Sequence, residues 1–251
     1  MPMLAFCLAK LFHIEGGYFI GMMLAGCVPG AMASNVLTLT ARGNVSYSVG
    51  LTTSATLLSP LVVPATLWLF LNHAHIKIDT TAIMINLLIT VVAPVAVGFT
   101  LARMWSLWRR LADAFAEIIA NLAIIWIIAS VVAKNFGQLS SLTLGIGTAL
   151  ALLNIGGYLA GYFGGKSLGL DSGMRRALAI EVGMQNAGLG TSLAMNYFPN
   201  TPEAALICAT YTFGCMATGI ILAQSFRFYT QAQEKRATAQ VDVRQEESAS
   251  E

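Results

Sequence analysis

Long apolar runs separated by short polar clusters dominate the chain. Runs close to the ~20 residues a helix needs to cross a hydrocarbon core fall at about 19–41, 45–71, 80–102, 112–134, 142–166, 174–197 and 203–228. Each predicts a membrane-spanning helix, and a shorter apolar stretch, Met1–Phe12, precedes them. At ~1.5 Å per residue that stretch reaches only ~18 Å, roughly half the membrane. It lacks the basic region and small-residue cleavage site of a secretory signal, and a charged amino terminus inside a bilayer is costly. The pattern therefore predicts an all-α membrane protein whose sequence is cut at its beginning.

Composition agrees, with 56% hydrophobic and 10% charged residues and a mean hydropathy of +0.69, against about 25% charged in soluble domains. Charge placement sets a topology. Lys10, Lys77 and Lys134 fall in one set of alternating loops; Arg42, Arg103, Arg109, Arg110, Lys166, Arg175, Arg176 and the four basic residues after 226 fall in the other. By the positive-inside rule the richer side, which includes the C-terminus, is cytoplasmic. Residues 231–251 are polar, mixed in sign and without apolar periodicity, and read as a disordered tail.

Two spans depart from plain helix. Gly26–Asn35, GCVPGAMASN, places Pro29 and two glycines beside Ser34 and Asn35; proline removes a backbone donor and crowds the preceding turn, which predicts a break. Gly183–Gly190, GMQNAGLG, sets three glycines among Gln185 and Asn186 and predicts a second interruption. Irregular backbone at membrane depth is tolerated only where protein or a wet cavity surrounds it. Glu181 is the one charged residue in the adjoining run Ala177–Leu193, and an ionisable group at that depth marks a functional site. By contrast, Gly157, Gly161 and Gly165 recur every fourth residue and read as a helix-contact stripe.

Other chemistry is sparse. Cys7, Cys27, Cys208 and Cys215 lie in apolar runs without zinc-type spacing and read as core packing. His73 and His75 sit in a short loop with no further ligand nearby. No phosphate-cradling loop, nucleophile elbow or zinc-protease helix is present, which disfavours an enzyme. Two interrupted spans about 150 residues apart point instead to a secondary transporter built from inverted repeats. Unwound carbonyls and half-helix C-termini can coordinate a cation. Beside the breaks stand the hard oxygens of Ser34, Asn35, Glu181 and Gln185, while Ser48 and Thr52 share one face of the next helix. A bound cation would hold Glu181 ionised.

The stretch GCVPGAMASNVLTLTARGNVSYSVGLTTSATLLSPLVVP, followed by IEVGMQNAGL, closely resembles the bile acid:sodium symporter family, over nearly all of residues 1–230. The resemblance implies ten helices in two inverted five-helix repeats, with two crossing broken helices in a core domain (here 1–71 and 142–230) and a panel domain (80–134). It places residue 1 in the third helix, so that the first two helices and part of the third are lacking. It assigns one sodium site to Ser34, Asn35, Ser48, Thr52 and Glu181. A second would use Glu181, Gln185 and the carbonyls of Val182 and Met184, together with a glutamine lying just before Met1 in the family. Met32 stands where family members often carry a threonine close to substrate, and Gly214, Cys215 and Met216 align with a Trp-His-Asn run of some members; Asn186 is retained.

The resemblance implies a sodium-coupled symporter importing a small organic anion, such as a carboxylate or sulfonate-like metabolite. Its substrate-contacting positions would be Met32, Asn186 and Met216, with a contact pattern unlike that for bile acids. Na+ would be the coupling ion and the only metal. The lipid bilayer of a bacterial-type inner membrane would be its surroundings, with neither nucleic acid nor an obligate protein partner. A proton-coupled or sodium-independent carrier of the same fold, and a truncated membrane sensor or interaction protein without transport, are the alternatives.

Overall fold

The structure is a computed structural model and describes residues 1–74, 76–104 and 143–249, with isolated positions between 115 and 133; side chains are described as far as residue 232. The expected span at 112–134 falls almost wholly outside the described residues, as does His75. Among the described residues the architecture is helical: α1 Pro2–Leu11, α2 Gly16–Cys27, α3 Ala33–Thr40, α4 Val45–His73, α5 Thr80–Leu87, a π-helical turn Leu88–Val92, α6 Ala93–Met104, α7 Leu144–Ser167, α8 Ser172–Gly183, α9 Ala187–Tyr197 and α10 Pro202–Ala249. Among the described residues, four stretches are long and apolar enough to cross a membrane: Val45–His73, Thr80–Leu101, Leu144–Ser167 and Pro202–Ala232.

Both expected interruptions occur, and they satisfy each other. Helix α2 ends at Cys27 and α3 starts at Ala33; α8 ends at Gly183 and α9 starts at Ala187. The two gaps meet in an antiparallel bridge between Gly30 and Gln185, in which Ala31 N donates to Met184 O at 2.8 Å and Asn186 N donates to Pro29 O at 2.7 Å. Each gap thus supplies the partners its opposite lost by leaving the helix, which is what unwound backbone in a membrane requires. The second gap is shorter than the glycine run suggested. Gly188 and Gly190 are helical, because Asn186 caps α9 by accepting from Leu189 N at 3.1 Å. A Cβ at Gly190 would stand 3.1 Å from Cys208 Sγ, so that glycine serves the packing of α9 on α10.

Helix α4 runs unbroken through Pro60 and Pro64. Pro60 cannot donate to the carbonyl of Thr56, four residues back, and the hydroxyl of Ser59 takes over that carbonyl at 2.7 Å. Ser59→Ala is therefore expected to lower stability by about 1 kcal/mol, read as a lower unfolding midpoint in detergent; an unchanged midpoint would show that the helix does not depend on this substitute bond. The buried face of α4 carries Ser48 and Thr52 at one end and Val63, Pro64, Leu67 and Leu71 at the other, while Leu57, Leu58, Leu61, Val62 and Trp68 are exposed on its remaining surface. One helix therefore presents hydroxyls to the breaks and an apolar ridge to the core.

The glycine stripe of α7 is a close helix contact. Cβ atoms at Gly157 and Gly161 would fall 2.9 Å from Gly183 Cα and 2.7 Å from Ala179 Cα, so only small residues let α7 lie against α8. The main core joins α1, α2, α4, α5, α7, α9 and α10, and a smaller cluster of Ala41, Tyr158, Ile180, Met184 and Ala223 lies beside the breaks. Helix α10 continues past Gln231 to Ala249. Residues 231–249 hold no glycine or proline and are rich in Ala, Gln and Glu, so nothing local ends the helix.

Candidate cation site at the paired helix breaks

The crossing of the two gaps carries four helix ends. The C-termini of α2 and α8 and the N-termini of α3 and α9 converge on the Gly30–Gln185 bridge. Partial negative charge from carbonyl ends and partial positive charge from N–H ends therefore lie close together. Glu181, in the last turn of α8, is 6% exposed. Its Oε2 accepts from Ser34 Oγ at 2.5 Å and from Thr52 Oγ1 at 2.8 Å. Its Oε1 is buried and has no hydrogen-bond partner.

That orphaned oxygen is the least expected atom in the site, since a buried polar atom without a partner is costly. It faces Gly30, where even a Cβ would overlap it. A carboxylate with one oxygen held by two hydroxyls and the other left over is suited to sharing a cation. The remaining oxygens close the set: Ser34 Oγ lies 3.4 Å from Thr52 Oγ1, and Thr52 Oγ1 lies 3.5 Å from Asn35 Oδ1. These are hard oxygen donors of the kind that bind alkali and alkaline-earth ions.

Ser34, Asn35, Thr52 and Glu181, from three helices, are thus brought within reach of one another. Ser48 belongs to the same group at one remove. Its hydroxyl pairs with Thr38 Oγ1 at 3.2 Å, and its carbonyl accepts from Thr52 Oγ1 at 3.1 Å. Thr38 is fully buried and was not singled out from the sequence, although it stands four residues after Ser34 on the same face of α3.

The second expected set also assembles, in a different state of pairing. Gln185 Nε2 donates to Val182 O at 2.8 Å, and Met184 O accepts from Ala31 N at 2.8 Å. Both carbonyls lie beside Glu181 at the end of α8, so a cation there would compete with an amide already in place. The expected substrate positions divide. Met32, at the start of α3, is 74% exposed. Met216 packs against the small cluster that includes Tyr158 and Met184. Asn186 uses one lone pair of its carbonyl oxygen as the cap of α9, which leaves its amide nitrogen and the second lone pair for another partner.

A further polar group lies behind the breaks. Asn154 of α7, Tyr211 and Thr218 of α10 and the carbonyl of Gly183 are joined by hydrogen bonds. These residues sit in three separate apolar runs of the sequence, and nothing in their local spacing marks them.

Comparison with known proteins agrees with this architecture. The profile of the sodium bile acid symporter family matches residues 1–142, which contain the first break and the Ser48 and Thr52 helix. The chain belongs to this family. It is 34% identical over 223 residues to the sodium-dependent transporter YocS of Bacillus subtilis (strain 168), covering 89% of this chain and 68% of that protein. It is also 34% identical over 231 residues to the probable sodium/metabolite cotransporter BASS1, chloroplastic, of Arabidopsis thaliana, covering 90% of this chain and 56% of the relative. Human sodium/bile acid cotransporter 4 is 24% identical over 208 residues, covering 79% and 47%. The chain thus spans about half to two thirds of the length of these relatives. The family and these relatives are transporters rather than enzymes, and with four helices able to cross a membrane among the described residues the protein is an integral membrane protein.

Proposed function

We propose that the protein is a sodium-coupled symporter that imports a small organic anion. The observation that carries this reading is the Glu181 carboxylate, buried at the meeting point of two helix gaps, with Oε2 held by two hydroxyls and Oε1 unpartnered. Sodium is here a co-transported substrate. Bound among Ser34, Asn35, Ser48, Thr52 and Glu181, it would neutralise the carboxylate and join α3, α4 and α8. A second sodium on Glu181, Gln185 and the carbonyls of Val182 and Met184 would displace the Gln185 amide from Val182 O and clamp the other side of the bridge.

The half-helix N-termini of α3 and α9 then supply the anion's partners, because the aligned peptide dipoles give a helix N-terminus partial positive charge. Met32, Asn186 and Met216 border that side, and two thioethers with one amide favour a small, partly apolar carboxylate or sulfonate. The order helix, broken helix, long helix recurs as α1, α2–α3, α4 and as α7, α8–α9, α10, which supports a core of two repeats (1–71 and 142–230) moving against a panel (80–134). The excess of Arg and Lys in the loops on the C-terminal side supports a cytoplasmic C-terminus in an inner-type membrane.

The test is uptake of labelled anions into vesicles in sodium or in choline buffer at one fixed pH. Sodium is expected to raise the initial rate at least about tenfold, since a coupling free energy of a few kcal/mol corresponds to that factor or more. Equal uptake in the two buffers, with a rate that follows an imposed proton gradient, would replace sodium by the proton as the coupling ion.

A further inference from the structure

Helix α8 ends in two carbonyls, Val182 O and Gly183 O, whose helical partners bond elsewhere. Asn186 N turns to Pro29 O, and Ala187 N turns to Gln185 O at 2.8 Å. Val182 O and Met184 O, the two assigned to the second cation site, accept from Gln185 Nε2 and Ala31 N, both of which belong to the breaks themselves. Gly183 O, between them, is treated differently. It accepts from Asn154 Nδ2 at 2.9 Å and from Tyr211 Oη at 3.0 Å, donors that come from α7 and α10, outside the broken helices. A carbonyl has two lone pairs, so these two donors fill it and hold it away from the cation side.

The Asn154 amide is fixed in turn. The Gly183 carbonyl can only accept, so the amide nitrogen is the end that faces it, and Asn154 Oδ1 is left to pair with Thr218 Oγ1 at 2.6 Å. Tyr158 completes the frame: its hydroxyl donates to Cys215 O at 3.1 Å, and its ring fills the space that a side chain at residue 183 would need. The peptide planes that carry Val182 O and Met184 O adjoin the clamped one through the Cα atoms of Gly183 and Met184, so the clamp narrows the φ/ψ freedom through which those two carbonyls could turn.

We propose that Asn154 and Tyr211 are positioning residues for the second cation site: by jointly saturating Gly183 O they aim the Val182 and Met184 carbonyls at the ion. The proposal rests on the sodium-coupled reading above. It assigns Thr218 the role of orienting Asn154, and it makes the ion's affinity depend on α7 and α10, neither of which contributes a ligand.

The test measures half-saturating sodium from the thermal stabilisation of the purified full chain, with choline replacing sodium at constant ionic strength. Asn154→Leu and Tyr211→Phe each leave Gly183 O one donor, and each is expected to raise half-saturating sodium about threefold to tenfold. The double variant leaves a buried carbonyl with neither donor and is expected to shift it by more than the product of the single effects. Variants that melt lower in choline but keep the wild-type half-saturation would show a purely structural role and overturn the proposal. Tyr211→Phe removes a single oxygen and decides the matter alone if the double variant does not fold; an unchanged half-saturation in it also overturns the proposal. A wild-type chain equally stable in sodium and choline would overturn the sodium reading and this inference with it, whereas a sodium-responsive wild type with unaffected variants overturns the inference alone.

Discussion

Glu181→Gln is expected to abolish the sodium response and, in the same preparation, to make the protein more stable when sodium is absent. The two effects have one cause. Without a cation, Glu181 is a buried carboxylate whose Oε2 is held by Ser34 and Thr52 and whose Oε1 has no partner. Burying a charge with incomplete pairing is among the most costly arrangements a fold can contain. The amide keeps the shape and one acceptor for the hydroxyls but carries no charge, so that penalty falls. It also removes the one anionic ligand of both candidate sodium sets, so the ion has nothing to neutralise. In the wild type, sodium at 100 times its dissociation constant contributes about 2.7 kcal/mol of stability by mass action, and this increment is expected to vanish in the variant. Melting curves in choline and in sodium read both signs, and uptake in the same two buffers reads transport. A Glu181→Gln protein that is still stabilised by sodium would remove Glu181 from the site. One that melts lower than the wild type in choline would show that the carboxylate is retained for the fold.

The parts of this arrangement that were legible in the sequence are those written in local pattern. Apolar runs mark the helices because every backbone group in lipid must be satisfied within its own segment. Pro29 beside Ser34 and Asn35 marks the first gap, because proline and polar side chains together oppose a lipid-facing helix. Glu181 stands out because charge is so rare in its run. Glycine is the ambiguous letter. Gly183–Gly190 reads as one interruption, but only Met184–Asn186 leaves the helix, since a glycine required by close packing and one required by a turn look alike in one dimension. Pro60 and Pro64 lie in a span read as plain helix, and α4 absorbs both, the Ser59 hydroxyl taking over the carbonyl that Pro60 cannot reach. The clamp on Gly183 O was invisible for a different reason: Asn154 and Tyr211 lie 29 and 28 residues from the carbonyl they hold, and only the packing of α7, α8 and α10 joins them. Thr38 falls between these cases, on the legible face of α3 yet paired with Ser48 across the α3–α4 turn.

Gly30→Ala separates the geometry of the site from its chemistry, because it alters no ligand. A Cβ at residue 30 would overlap Glu181 Oε1 and come within 2.6 Å of the carboxylate carbon. The methyl group cannot move away, being fixed to backbone that pairs with Gln185 and is flanked by the bonds from Ala31 N to Met184 O and from Asn186 N to Pro29 O. The carboxylate must therefore swing away from Ser34 and Thr52, or the bridge must open. Either change breaks charge-assisted hydrogen bonds worth roughly 1.5–3 kcal/mol each. Sodium affinity is accordingly expected to fall at least about 100-fold, with two such bonds at stake and tenfold for every 1.4 kcal/mol. The matched control is Gly50→Ala on α4, where an added Cβ meets nothing within 4 Å. There alanine is expected to be neutral or to stabilise by up to about 1 kcal/mol through helix propensity. Half-saturating sodium measured for both variants by thermal shift checks the pair. If Gly30→Ala kept wild-type affinity, the bridge would have to be loose enough to accommodate a methyl group, and the tight contact between Gly30 and Glu181 could no longer explain how the orphaned oxygen is held toward the ion.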